Sequence, residues 1–100
     1  MTTAASSTRR TPGAPSRLNV QVTGLTVILS WQPGVGLTTS YVVEAGSASG
    51  LADLAAFDTG GPATILSIPG VAPGTYFVRV RAQNACGVSG PSIETTAVVR

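Results

Sequence analysis

From Leu18 onward the chain alternates apolar and polar positions in short bursts, each closed by glycine or proline. Leu18, Val20 and Val22 alternate with Asn19 and Gln21 as a first strand, and Thr23-Gly24 turns the chain. Leu25, Val27, Leu29 and Trp31 repeat the period of two with Thr26 and Ser30 facing out, up to the Pro33-Gly34 breaker. Tyr41, Val43 and Ala45 form the inward face of a third strand over Ser40 to Gly46. A loop of small residues, Ser47 to Gly50, precedes a weak strand at Leu54 to Phe57, and Thr59-Gly60-Gly61-Pro62 is a strong turn. Thr64, Leu66 and Ile68 continue as a strand that Pro69-Gly70 closes. The longest alternation comes next: Tyr76, Val78, Val80 and Ala82 point one way, Phe77, Arg79 and Arg81 the other. A slip of one residue would drive both arginines into the core, which fixes the register. Asn84 to Gly90 reads as a loop, and Ile93 to Val99 as the last strand. Leu51, Leu54 and Ala55 fall at helical spacing, but Gly50 and Gly60 flank them, so at most one helical turn fits.

Seven short strands at this spacing, with a lone Trp31 far upstream of a tyrosine turn, predict an all-β, seven-stranded immunoglobulin-like β-sandwich. One hundred residues suffice for one such core and not two. Residues 1–14 are rich in Thr, Ala and Ser, with Arg9, Arg10, Pro12 and Gly13. They hold too little apolar surface to fold and read as a flexible linker or disordered tail, leaving residues 15–100 as the domain. The tail lacks the apolar segment of a signal peptide. No run approaches the roughly 18 apolar residues of a membrane span, so the chain reads as soluble.

Composition narrows the chemistry by what is missing. The chain has no histidine, which removes Ser-His-Asp and Cys-His catalysis and histidine metal sites. It has no lysine, which removes phosphate-cradling and Schiff-base lysines. Its single cysteine makes neither an internal disulfide nor a thiolate zinc site. The four carboxylates, Glu44, Asp53, Asp58 and Glu94, are too scattered for an ion-binding loop. Cofactors and metals are accordingly not expected. The net charge is only +2, and Arg9, Arg10, Arg17, Arg79, Arg81 and Arg100 are spread along the chain, leaving no nucleic-acid footprint.

Three motifs bear weighing. Asp58-Thr59-Gly60 spells the triplet of aspartic proteases, chemistry that needs two such carboxylates sharing a proton across a dimer. It also needs a later apolar-apolar-Gly brace, for which Ile68-Pro69-Gly70 is a poor substitute, so the better reading is a turn around Asp58. Gly46-Ser47-Ala48-Ser49-Gly50 looks like a nucleophile elbow, but Ala48 stands where the serine belongs, and the segment reads as a flexible loop. Cys86 offers an intermolecular disulfide or a reactive thiol, against the plainer reading of a small loop residue with no basic neighbour to activate it. Phe77 beside Arg79 and Arg81 reads mainly as cover for the sheet face.

The chain resembles the fibronectin type III family. The resemblance rests on Pro15 and Leu18, on Leu29-Ser30-Trp31-Gln32-Pro33, and on Tyr41-Val42-Val43. It rests further on Val71-Ala72-Pro73-Gly74-Thr75-Tyr76 with Val78 and Val80, and on Asn84, Gly87 and Pro91-Ser92. It covers about residues 15 to 99. The segment between Val71 and Tyr76 is a residue shorter than in animal members and is similar to the Pro-Gly-Thr-Tyr form of secreted bacterial modules. The resemblance implies sheets of three and four strands with Trp31 and Tyr41 between them. It implies a monomeric, non-catalytic module spacing or presenting neighbouring domains of a larger secreted, extracellular bacterial protein, such as a polysaccharide-degrading enzyme. It also implies that Gln32–Thr39, Thr59–Pro62 and Asn84–Gly90 gather at one pole. There they present the alternative function, binding of a protein or glycan partner.

Overall fold

The computed structural model describes residues 10–100; the first nine residues of the expected tail lie outside the described residues. The strands are β1 (Ser16–Thr23), β2 (Thr26–Gln32), β3 (Ser40–Gly46) and β4 (Ala55–Asp58), followed by β5 (Ile65–Ile68), β6 (Gly74–Asn84), β7 (Gly87–Val88) and β8 (Thr95–Val99). One sheet runs β1-β2-β5; the other runs β4-β3-β6, with both β7 and β8 paired to β6. Every pairing is antiparallel.

Eight segments appear where seven were expected, because the last strand reaches β6 in two pieces. Between them runs Ser89–Glu94, where Pro91 has no N–H for the ladder. Two serines close the gap. Ser89 N–H donates to Ala82 O and Ser92 N–H to Val80 O, both at 2.8 Å. In return Ser89 Oγ accepts from Ala82 N at 2.9 Å and Ser92 Oγ from Val80 N at 3.0 Å. No polar group of β6 is left unanswered there, as a buried strand requires. The expected Asn84–Gly90 loop is correspondingly shorter: Asn84 pairs with Gly87, so Ala85 and Cys86 alone form the turn.

The core follows from the alternation. Val27, Leu29 and Trp31 of β2, with Leu18 of β1, face Tyr41, Val43, Val78, Val80, Ala82, Ala97 and Val99 of the other sheet. Trp31 and Tyr41 meet edge-to-face, ring centroids 5.1 Å apart at 68°. Leu18 reaches the core through a bulge: the register shifts by one residue between Ser16 and Asn19, and Arg17 adopts φ +55°. Tyr76 closes the tyrosine turn despite the shortened segment, its hydroxyl donating to Ala72 O at 2.6 Å.

Three expectations shift at element ends. Leu25 lies exposed in the β1–β2 turn instead of facing inward. Leu54 and Ile93 are exposed too, and their strands begin later, at Ala55 and Thr95. No helical turn forms among the described residues at 51–55, because the β3–β4 connection is folded back on itself by its own Asp53 and pinned from outside by Glu94.

Candidate functional site

Strand register brings the three predicted loops to one pole. Gln32 ends β2, Ser40 begins β3 opposite Gln83 near the end of β6, and Asp58 ends β4 opposite Val42. Side chains then tie the connections together. Thr39 donates from N and Oγ1 to Gln83 O, at 2.9 and 3.1 Å. Asn84 Nδ2 donates to Leu37 O at 2.9 Å, and Gln83 Nε2 donates to Ser40 Oγ at 2.9 Å and to Asp58 Oδ2 at 2.5 Å. Exposed apolar side chains at this pole include Val35 (81%), Leu37 and Val88, with Ile65 at the start of β5.

Asp58 is a turn-former. Its Oδ1 accepts from Gly60 N at 2.7 Å, and Oδ2 takes Ser40 Oγ as well as Gln83. Thr59 continues the turn, donating N–H to Tyr41 O and accepting Tyr41 N at Oγ1. The Gly60 N–H, with help from Ser40 and Gln83, outweighs desolvation and holds the Asp58 carboxyl below the usual carboxylate range. A shared-proton pair would raise one carboxyl instead. Ile68-Pro69-Gly70 lies at the opposite pole, followed by Val71, whose N–H donates to Leu25 O in the β1–β2 turn.

The Gly46–Gly50 segment is gripped at both ends. Asp53 accepts Ser47 N at 2.9 Å and Ser47 Oγ at 2.6 Å; Glu94 accepts Ser49 Oγ at 2.6 Å and Gly50 N at 2.8 Å. The Ser47 bonds lower the Asp53 carboxyl, and the Gly50 N–H lowers that of Glu94. Gly46 is obligatory, since a Cβ there would stand 2.1 Å from Leu51 O. Cys86 sits exposed in the β6–β7 turn, its N–H donated to Asn84 Oδ1 at 2.8 Å.

Sequence patterning did not bring Glu44 and the two outward arginines together. Glu44 Oε1 accepts Arg79 Nε at 2.6 Å and Arg81 Nε at 3.1 Å on the outer face of the larger sheet. Burial pushes the Glu44 carboxyl up, but the two guanidinium bonds prevail and leave it lowered. Only knowledge that β3 pairs with β6 could have found this cluster. Phe77 lies half-buried on the same face, opposite Gly46 and Thr96.

An apolar crevice of about 110 Å³ opens between the sheets beside β4 and β5, lined by Val27, Val43, Ala55, Phe57, Ile68 and Tyr76 among others. The Tyr76 hydroxyl is already given to Ala72, so the crevice brings no set of polar groups to bear on a reactant. Among the described residues no group of three or more acidic or cysteine side chains is placed to hold a metal ion, and no helix is long and apolar enough to cross a membrane.

Comparison with known proteins agrees with this geometry. A search of the curated proteins returned no match. Among solved structures, the twitchin kinase region from C. elegans is similar at 26% identity with a TM-score of 0.73, covering 90% of this chain and 17% of that one. The chicken CNTN1 FN1-FN3 domains are similar at 17% identity with a TM-score of 0.76, and a set of titin domains at 22% and 0.70. Each covers 89% of this chain, which spans 32% of either. Domains of this kind are generally non-catalytic, commonly serve as linkers or spacers in multidomain proteins, and are commonly extracellular. The profile of the fibronectin type III domain matches residues 13–98, and the chain belongs to that family.

Proposed function

We propose that the chain is a non-catalytic spacer or presentation module within a larger secreted bacterial protein, with a polysaccharide-degrading enzyme as the parent. One observation carries this reading: polypeptide enters and leaves at opposite poles. Ser16 opens β1 beside Gln32 at the loop pole, whereas Val99 closes β8 beside Gly74 at the other. The 11 residues of β6 span the distance between poles, roughly 35 Å at the rise of a strand. Such a module holds its neighbours apart in line. All four carboxylates are committed to bonds that shape turns or brace a sheet, which leaves reactive chemistry to the neighbours. The Pro-Gly-Thr-Tyr form of Pro73–Tyr76 supports the bacterial, secreted parent.

The test exchanges the module in its parent for an unrelated rigid domain of equal span. Activity on a bulky polymeric substrate is expected to survive the exchange and to fall on outright deletion. Equal losses from exchange and deletion would overturn the reading. A second reading, binding of a protein or glycan at the loop pole, is favoured by the exposure of Val35, Leu37 and Val88 there. It expects saturable binding by the isolated domain that Val35→Ser with Leu37→Ser abolishes while the fold stays intact.

A further inference from the structure

Residues 10–14, read from sequence as part of a linker, make specific contacts with the loop pole. Asn84 is 7% exposed and uses its amide as a node: Nδ2 donates to Arg10 O at 2.7 Å and to Leu37 O at 2.9 Å, and Oδ1 accepts Cys86 N at 2.8 Å. Both hydrogens of that nitrogen are thereby used, so one side chain joins the entering chain, the β2–β3 loop and the β6–β7 hairpin. Gly13 N–H donates to Val35 O at 2.8 Å. Pro12 and Pro15 are buried. Gly34 lies so close beneath that a Cβ on it would stand 2.5 Å from both Gly13 O and Ala14 O. On the other side, a Cβ on Gly87 would meet Thr11 Oγ1 at 3.4 Å.

The composition suits this role. Two prolines in Thr11-Pro12-Gly13-Ala14-Pro15 pre-set an extended backbone, so little entropy is lost on docking. Proline also brings no N–H that burial would strand. This is the physics by which grooves take proline-rich peptides, with the peptide supplied by the same chain.

We propose that residues 10–15 form a strap seated between the β2–β3 loop and the β6–β7 hairpin and locked by Asn84. Whatever precedes Arg10 is anchored at the loop pole, and that groove is closed to outside peptides. The strap does not depend on the spacer reading: a binding module would carry it equally, with recognition confined to the rest of the pole.

Two variants test it by independent routes. Asn84→Asp replaces the donating amide nitrogen with an acceptor, and Gly34→Ala places a methyl group against the strap carbonyls without touching Asn84. The readouts are amide hydrogen exchange at Gly13 and tryptic cleavage of the Arg10–Thr11 bond, with exchange at Val80 reporting the core. Gly34→Ala is expected to speed both strap readouts at least tenfold with Val80 unchanged. Asn84→Asp is expected to speed both by more than it speeds Val80. Equal strap rates in parent and Gly34→Ala would overturn the proposal, as would Gly13 and Val80 accelerating in step. Should Asn84→Asp not fold, Gly34→Ala decides.

Discussion

Trp31 places the largest ring in the chain at 3% exposure, edge-on to Tyr41 at 1%. Removing it empties space that two facing strands cannot collapse to fill, so Trp31→Ala is expected to cost about 3–5 kcal/mol. That is a large share of a small domain's stability. A urea midpoint near the parent's would contradict the placement. Inward positions such as Leu29, Trp31, Tyr41, Val43, Val78 and Val80 were legible because alternation is a local property of a strand. Arg17 was not. A bulge in the left-handed region usually advertises itself with glycine, and here an arginine occupies it at φ +55°. Asn84 was visible only as a family mark; its partners Arg10 and Leu37 lie 74 and 47 residues away.

At the scale of elements, the β3–β6 register sets Glu44 directly opposite Arg79, with Arg81 one step along the same face. Glu44→Gln leaves two adjacent guanidinium groups without their counter-charge and is expected to cost about 1–3 kcal/mol at neutral pH. The pH dependence has a definite sign. The folded carboxyl is lowered from an ordinary value of 4.5, so its contribution is complete above about pH 4.5 and is lost as pH falls through the folded value. Asp53, Asp58 and Glu94 are shifted the same way, from 3.8, 3.8 and 4.5. Urea midpoints measured in an acid series should therefore hold level above about pH 5 and decline below it. The gap between parent and Glu44→Gln should narrow on the way down. A gap constant with pH would show that the glutamate acts by packing alone. Sequence placed both arginines outward correctly, yet which strand lies beside them is decided by topology. The same limit hid the divided last strand: Pro91 was in plain view, but the serines that bridge the break are recognisable only against β6.

For the molecule as a whole, each sheet buries its apolar face only against the other. β3 pairs with β6 across the intervening β4 and β5, so neither sheet can form from consecutive segments alone. Unfolding is expected to be a single cooperative transition, with Trp31 fluorescence and backbone circular dichroism giving superimposable urea curves. Refolding should fall in the millisecond-to-second range of non-local β topologies. Separated curves or a microsecond phase carrying most of the amplitude would argue against this assembly. The fold class was readable because seven alternating segments admit few arrangements. The opposite-pole geometry follows from the same count: seven antiparallel passes, the last shared by β7 and β8, must start and finish at opposite ends. That geometry has a mechanical consequence. A pull between the two ends acts along β1 and β8, loading the rungs of the β1–β2 and β6–β8 ladders in shear and together, so the domain resists tension as a bolt does and not as a zip.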